Sequence, residues 1–203
     1  MDENKIPPLS FSLFNHESEG GLSLLYGHPE VNALAQRLLV KPLSHGYAIT
    51  VLDVGNLFDP YLISRMAQTL GREPREFLSK ILISRSFTCH QTYALVGKVT
   101  RLNRHLPRTL LVLGCLTTFY DEEIPLGERT TLLRKTLALL RAISQRGVRV
   151  FVTSTDSPAD LRSRFVDLLV HAVDRAARLD LRQDGSFRID LIKEVNAATI
   201  LKG

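Results

Sequence analysis

The sequence predicts a three-layer α/β domain with a mainly parallel sheet and a C-terminal antiparallel hairpin. Short, continuous apolar runs alternate along the chain with segments whose apolar residues recur at helical spacing. Continuous apolar runs are typical of parallel strands buried on both faces, and helices between such strands cover the two faces of the sheet. Near the C-terminus, alternating apolar and polar residues flank Asp184-Gly185, which is a strong hairpin signal.

The elements follow from these patterns. Parallel strands are predicted at 22–26, 47–53, 80–85, 109–114 and 148–153. Helices are predicted near 29–40, 60–71, 73–79, 90–105, 129–146 and 158–172. The helix at 129–146 ends at Gly147, a residue typical of the position after a helix C-terminus. Ser157 suits the N-cap of the last helix and Pro158 its first residue.

Composition indicates one domain in a reducing compartment. The chain has 203 residues, 44% of them hydrophobic, which suffices for one well-buried core. We predict an N-terminal arm or loop at 1–20 and a single domain at 21–203. Cys89 and Cys115 are the only cysteines and have no metal-ligand spacing, so no metal or other cofactor is expected, although the two thiols could pair.

The N-terminal sequence, the length of the apolar runs and the net charge limit the classes of partner to be expected. The charged, Pro-rich N-terminus is unlike a signal peptide, and no apolar run approaches 18 residues. We therefore expect a cytoplasmic protein with no membrane partner. The net charge of +5 favours an anionic partner, without identifying nucleic acid as that partner.

The stretch LLYGHPEVNALAQRLL, residues 24–39, has the outline of a phosphate-binding loop. It predicts a strand, a short turn and a helix, the arrangement in which G-x-x-x-x-G-K-[ST] holds phosphates. Gly27 matches the first glycine of that motif. The second glycine, the lysine and the hydroxyl residue are replaced by Asn32, Ala33 and Leu34.

Four further stretches resemble the RecA/RadA recombinase family. ITVLDVGNLFDPYLISRMAQTLG is similar to the family's second core strand, which ends in D-T-E-G-T-F, and ILISRSFTCHQTYAL is similar to the next strand. TLLVLGCLTTFYDEE stands where the family has its Walker B strand, and ARLDLRQDGSFRIDLIKE resembles its closing hairpin. The resemblance covers about residues 20–195 in the family's order and implies a RecA-like core. The alternative is an unrelated α/β protein in which Gly55 and Gly114 are turn residues.

The resemblance also implies that the ATP site has lost its chemistry. Hydrolysis in this family needs a lysine on the phosphates, a hydroxyl on Mg²⁺, a Walker B aspartate and a glutamate that activates water. The corresponding positions hold Ala33, Leu34, Gly114 and Gly55, while Asn32 narrows the approach to a phosphate. We therefore predict a pseudo-ATPase with no catalytic residues, in which weak nucleotide binding stays open.

A basic run gives the candidate contact with DNA or an acidic partner. Residues 85–108 contain no Asp or Glu. Leu95, Val99, Leu102 and Leu106 are predicted to form the buried stripe of the helix. The candidate binding residues are Lys98, Arg101, Arg104 and Arg108, together with Arg162 and Arg164 further along the chain. A solvated basic face that complements the helix dipole is the equally weighted alternative.

Two loops that bind DNA in the family correspond to 119–129 and 154–164 here. The first is acidic, with Asp121, Glu122, Glu123 and Glu128 against Arg129, and both loops would suit a protein partner. His90-Gln91 stands where the family has a segment that faces the neighbouring site, and without a nucleotide there it is assigned a structural role. A Cys89 nucleophile is not expected, because no third group is evident that would orient the Cys89–His90 pair. Phe11 and Phe14 are candidates for a contact with an adjacent subunit, or they hold the arm on this domain.

Together these features predict a non-catalytic RecA/RadA-like paralogue in DNA recombination or repair. It would bind DNA, a recombinase-like or other protein partner, or both, as a homo- or hetero-oligomer and without ATP hydrolysis. The alternative is a protein-interaction regulator of the SulA type, a RecA-like inhibitor or adaptor with no DNA role.

Overall fold

The fold is a single seven-stranded sheet between two layers of helices. A computed structural model describes residues 20–102, 106–155 and 160–194, with the side chains of 160–163 left out. Its strands are β1 (Gly21–Gly27), β2 (Ile49–Asp53), β3 (Ile81–Arg85), β4 (Thr109–Leu113), β5 (Arg149–Thr155), β6 (Arg175–Leu181) and β7 (Phe187–Glu194). The five strands predicted as parallel and the closing hairpin all form.

The sheet order is β3-β2-β4-β5-β1-β6-β7. Strands β1 to β6 pair in parallel, and only β6 and β7 pair antiparallel among the described strands. The turns that follow β1, β2, β4 and β5 therefore gather at one end of the sheet, here called the carboxyl end, and the turns that precede these strands gather at the opposite, amino end. This arrangement confirms the predicted fold class.

Helices cover both faces of the sheet. They are α1 (Val31–Leu38), α2 (Val40–Ser44), α3 (Pro60–Thr69), α4 (Pro74–Leu78), α5 (Cys89–Thr100), α6 (Leu126–Ser144) and α7 (Asp160–Ala172), with a 3₁₀ helix at Thr117–Tyr120. Leu111 of β4 packs in the core with α1 to α4, whereas Leu110 and Val112 pack in the core with α5 to α7. Burial on both faces explains the continuous apolar runs of the strands.

The helices differ from their predicted bounds by one to five residues, and two of the differences have an identifiable cause. The helix predicted near 29–40 ends as α1 at Leu38, and α2 follows directly. Pro42 has no N–H with which to continue the hydrogen-bond ladder of α1. Helix α5 ends at Thr100 rather than near 105. Beyond Thr100, the N–H groups of Arg101 and Leu102 donate to carbonyls three residues back instead of four.

The residues that α5 buries differ from the predicted buried stripe. The buried face consists of Cys89, Thr92, Val96 and Val99. Leu102 is 43% exposed, Leu106 lies beyond the helix and Leu95 is half-buried, so the predicted stripe is wrong apart from Val99.

The C-terminal hairpin has a longer turn than a two-residue connection. The Asp184 carboxylate accepts hydrogen bonds from the Ser186 N–H and hydroxyl at 2.8 and 2.6 Å. These bonds lower the pKa of Asp184. Gly185 has a φ of +77°, which a side chain at that position would oppose.

Several predictions fall outside the described residues. These include Phe11, Phe14, Ser157 and Pro158, and the division into an arm at 1–20 and a domain at 21–203 stays a prediction. Gly147 is described, and its φ of +87° confirms its place after α6. Within the described ranges, none of the helices combines the length and apolar character that crossing a bilayer requires.

Candidate functional site

The turn after β1 is shaped by its contact with β6. Gly27 has a φ of +116°, and a Cβ added to it would lie 2.3 Å from the Leu179 carbonyl oxygen. The His28 N–H donates to the same oxygen at 2.8 Å. The glycine that matched the phosphate motif is therefore required by the close approach of β6, whether or not a phosphate binds.

Backbone donors in this turn bond to protein acceptors. A phosphate-binding loop presents N–H groups to its ligand. Here the N–H of Val31 donates to the His28 carbonyl at 3.0 Å, and that of Asn32 donates to the Pro29 carbonyl at 3.2 Å. The Glu30 N–H donates to His28 Nδ1 at 3.3 Å. Four N–H groups of the turn, from His28 to Asn32, thus have partners within the chain.

A buried hydrogen-bond relay joins the β1 turn to β5 and β4. The Thr153 hydroxyl donates to Asn32 Oδ1 at 2.6 Å and accepts from the Gly114 N–H at 2.9 Å. Asn32 Nδ2 in turn donates to the Pro29 carbonyl at 3.3 Å. We call these three residues, Asn32, Thr153 and Gly114, the relay. Two of them stand at positions that carry phosphate and metal contacts in the resembled family.

Leu57 covers the two other glycines of the predicted site. A Cβ on Gly55 would lie 2.5 Å from Leu57 Cδ1, and one on Gly114 would lie 2.7 Å from the same atom. Gly114 also has a φ of +64°. The aliphatic side chain thus occupies the space beside both glycines, at the positions of the family's activating glutamate and Walker B aspartate.

The other two motif positions lie on α1. Leu34 is buried in a cluster with Leu25, Val31, Ala177 and Leu179. Ala33 is half-buried and ends in a methyl group. Neither side chain has an atom that hydrogen-bonds a phosphate or ligates Mg²⁺.

Two further polar residues close the carboxyl end beside β2. The Asp53 carboxylate is fully buried and accepts from Arg85 Nε at 3.1 Å and from the Leu57 N–H at 2.7 Å. Gln36 donates to the Leu57 carbonyl at 3.2 Å and accepts from the Asp59 N–H at 2.7 Å. The structural roles of Gln36 and Thr153 are not evident in the sequence, since only the fold brings their partners near.

The third group beside the Cys89–His90 pair is Glu128, which the sequence did not indicate. His90 Nε2 lies 2.8 Å from Glu128 Oε1, and His90 Nδ1 lies 3.8 Å from Cys89 Sγ. Cys89 nevertheless has no exposed surface, and burial raises the pKa of its thiol. A protonated, covered thiol does not react as a nucleophile. Gln91 accepts a hydrogen bond from the Phe87 N–H at 2.9 Å.

The cysteines are not paired. Both are free and buried, so the alternative of a Cys89–Cys115 disulfide is wrong. Burial raises the pKa of Cys115 to about 12. Among the described residues, no group of three or more His, Cys, Asp or Glu side chains is arranged to hold a metal ion.

The predicted cations lie at opposite ends of the sheet. Lys98 and Arg101 are exposed at the C-terminus of α5, and Arg108 is exposed just before β4, all at the amino end. Arg164 is exposed near the start of α7, which follows the carboxyl end of β5. Arg104 lies outside the described residues, as does the side chain of Arg162.

The segment predicted as the first loop is largely structured. The 3₁₀ helix ends at Tyr120 and α6 begins at Leu126, which leaves only 121–125 as the loop. Arg129 was predicted to lie in this loop, but it is buried in α6 and donates to the Phe119 carbonyl at 3.3 Å. The loop itself therefore has acidic side chains and no cation.

Comparison with known proteins agrees with this architecture. No family model matches the sequence. The structure is similar to the crystal structure of the RadB recombinase, with a TM-score of 0.71 over 91% of this chain and 86% of that one. The two sequences are 20% identical, a level at which the likeness establishes the fold and leaves the function open. The chain therefore has a RecA-like fold, with a mainly parallel sheet and a C-terminal antiparallel hairpin.

Proposed function

We propose that this protein is a non-catalytic RecA/RadA-like paralogue that acts in DNA recombination or repair. It binds DNA, a recombinase-like partner, or both, and it does not hydrolyse ATP. Its effect is on assembly: it joins or ends a recombinase filament, and the partner alone turns over nucleotide.

The relay is the observation that carries the proposal. In a RecA-like fold the carboxyl end of the sheet is where nucleotide would bind. Here the donors and acceptors of Asn32, Thr153 and Gly114 are directed at one another, and Leu57 covers the adjacent glycines. A phosphate at this position would have to break buried hydrogen bonds that stabilise the fold, without gaining a lysine in return.

The edge strand β3 supports a protein partner. Pairing with β2 leaves the other side of β3 unpaired within the described sheet. Leu82 on this strand is 65% exposed, and Phe87 just beyond it is 70% exposed. An open strand edge with exposed apolar side chains favours strand addition by a partner segment. We assign this edge to a segment of a recombinase-like partner.

Filament assembly tests the proposal. The recombinase of the same cell is assembled on single-stranded DNA with ATP, and filament length and ATP turnover are measured as this protein is added. We expect either quantity to change at near-stoichiometric amounts. No change in filament length or turnover, together with no co-sedimentation with the recombinase, would refute the recombination role.

The SulA-type alternative is favoured by one specific feature. The 121–125 loop exposes Glu122 and Glu123 beside half-buried Asp121, and this charge repels a phosphate backbone. Under that alternative the protein inhibits a partner by protein contact alone. Inhibition that is equal with and without DNA present would select it over the recombination role.

A further inference from the structure

The amino end of the sheet carries a cationic surface. A cation stands at the start of three strands. Lys80 directly precedes β3, Arg108 directly precedes β4, and Arg149 is the first residue of β5. Strand pairing sets them in a row, since β3, β2, β4 and β5 are consecutive in the sheet. Neighbouring strands are about 4.8 Å apart, so the row extends over roughly 14 Å.

Hydrogen bonds and ring contacts fix the members of this row. The Arg149 N–H donates to the Arg108 carbonyl at 3.0 Å, and the Ile49 N–H donates to the Lys80 carbonyl at 2.9 Å. The Arg108 guanidinium lies over the Tyr47 ring, 4.6 Å from its centroid, which directs it along the same end of the sheet.

Two helix C-termini extend the row. Lys98 and Arg101 are exposed at the end of α5, and Arg146 beyond α6 donates to the Thr100 carbonyl at 2.7 Å. We call the whole set the amino-end surface; it consists of Lys80, Lys98, Arg101, Arg108, Arg146 and Arg149. Complementing a helix dipole accounts for cations in the last turn of a helix, but not for Lys80, Arg108 and Arg149 at strand starts.

Acidic side chains are absent from the turns directly beside the described cations. The turns 45–48, 78–80, 106–108 and 145–148 contain no Asp or Glu. None of Lys80, Lys98, Arg101, Arg108 and Arg149 forms an ion pair with a described residue. The acids at this end of the sheet include Glu73 and Glu76 at the start of α4, before β3, and Asp174 and Glu194 near the far strands. Glu76, Asp174 and Glu194 are paired with Arg72, Arg141 and Arg175. The carboxyl end, in contrast, exposes the acidic 121–125 loop.

We propose that the amino-end surface binds the phosphate backbone of duplex DNA, on the end of the sheet opposite to the nucleotide-type turn. This inference deepens the DNA-binding part of the proposed function and rests on it. A row of charges with its one aromatic ring covered by Arg108 contacts phosphates without stacking bases. Binding is therefore independent of sequence, and duplex DNA binds at least as tightly as single-stranded DNA.

Fluorescence anisotropy across a salt series tests this surface. The wild-type chain, Lys98→Gln/Arg101→Gln and the matched control Arg134→Gln/Lys135→Gln are titrated against a labelled duplex and a labelled single strand. Arg134 and Lys135 are exposed in the middle of α6. We expect the amino-end variant to bind about tenfold more weakly at low salt, with a salt slope smaller by about two, and the control to match the wild type.

The outcomes separate this inference from the proposed function. If Arg164→Gln loses DNA binding while Lys98→Gln/Arg101→Gln keeps it, the amino-end assignment is wrong. The protein would still be a DNA-binding protein. No binding at low salt would overturn the assignment as well, and the proposed function would then depend on the filament assay alone. Tighter binding of a labelled poly-glutamate peptide than of the duplex would identify an acidic protein as the partner.

Discussion

At the scale of single residues, Thr153 has the most consequential contacts at the carboxyl end. Its hydroxyl is buried and serves two partners, Asn32 Oδ1 and the Gly114 N–H, which lie 121 and 39 residues away in the chain. Buried polar groups that lose a partner keep the cost of their desolvation. The relay thus links the structure of the turn to the stability of the whole domain.

Thr153→Val removes the hydroxyl at nearly constant volume. We expect the free energy of unfolding to fall by about 2–4 kcal/mol, because a buried N–H and a buried amide oxygen lose their partner. Urea unfolding followed by circular dichroism measures the change. Thr131→Val is the matched control, since that exposed hydroxyl bonds only its own helix at Gly127, and it should change stability by less than about 0.5 kcal/mol.

Gly27→Ala tests whether the first glycine is structural. The added methyl would meet the Leu179 oxygen and would also oppose the φ of +116°, so we expect a loss of about 3 kcal/mol or more in the free energy of unfolding. Gly46→Ala is the control, because Gly46 has a φ of +85° and no atom within 4 Å of the added Cβ. It should lose only about 1 kcal/mol. Equal losses would show that the contact with β6 contributes nothing.

At the scale of elements, the strands were predictable and the helix ends were not. Leu110 to Leu113 pack alternately into the cores on opposite faces of the sheet. Both faces of the strand are therefore apolar, and its sequence is a continuous apolar run. The end of α5 depends on backbone hydrogen bonds that tighten beyond Thr100, and no glycine or proline marks that point in the sequence.

The residues of the candidate site show the same division. Gly27 and Asn32 were singled out because a motif fixes their spacing, and Gly55 and Gly114 because the family resemblance aligns them with its activating glutamate and Walker B aspartate. Thr153 and Gln36 were not, because their partners come from other elements and are set by the topology. Glu128 was missed as the partner of His90 for the same reason, since it lies on α6.

Leu82→Glu tests β3 as the edge that receives a partner segment. Leu82 is exposed, so the change should leave stability within about 0.5 kcal/mol. A charge at the centre of an apolar contact should weaken the effect on recombinase filaments by about tenfold or more. Leu191→Glu, on the opposite edge strand β7 and also exposed, is the control. An unchanged response of Leu82→Glu in the filament assay would exclude β3 as the contact.

At the scale of the whole molecule, charge is distributed unequally between the two ends of the sheet. The amino end has cations at the starts of β3, β4 and β5, with no Asp or Glu in the turns 45–48, 78–80, 106–108 and 145–148, and the carboxyl end exposes the acidic 121–125 loop. The proposed anionic partner would therefore approach from the amino end. No phosphate contact is accordingly proposed at the carboxyl end, where the relay lies.

The central claim is that this RecA-like protein works without nucleotide, and Mg²⁺-ATP binding tests it most directly. Isothermal titration of the purified chain with Mg²⁺-ATP, followed by phosphate-release assays on the same sample, measures binding and turnover together. We predict no saturable heat up to about 1 mM nucleotide, which bounds any binding free energy at roughly −4 kcal/mol, and no phosphate release. Saturable binding at micromolar nucleotide with Mg²⁺-dependent phosphate release would contradict the account.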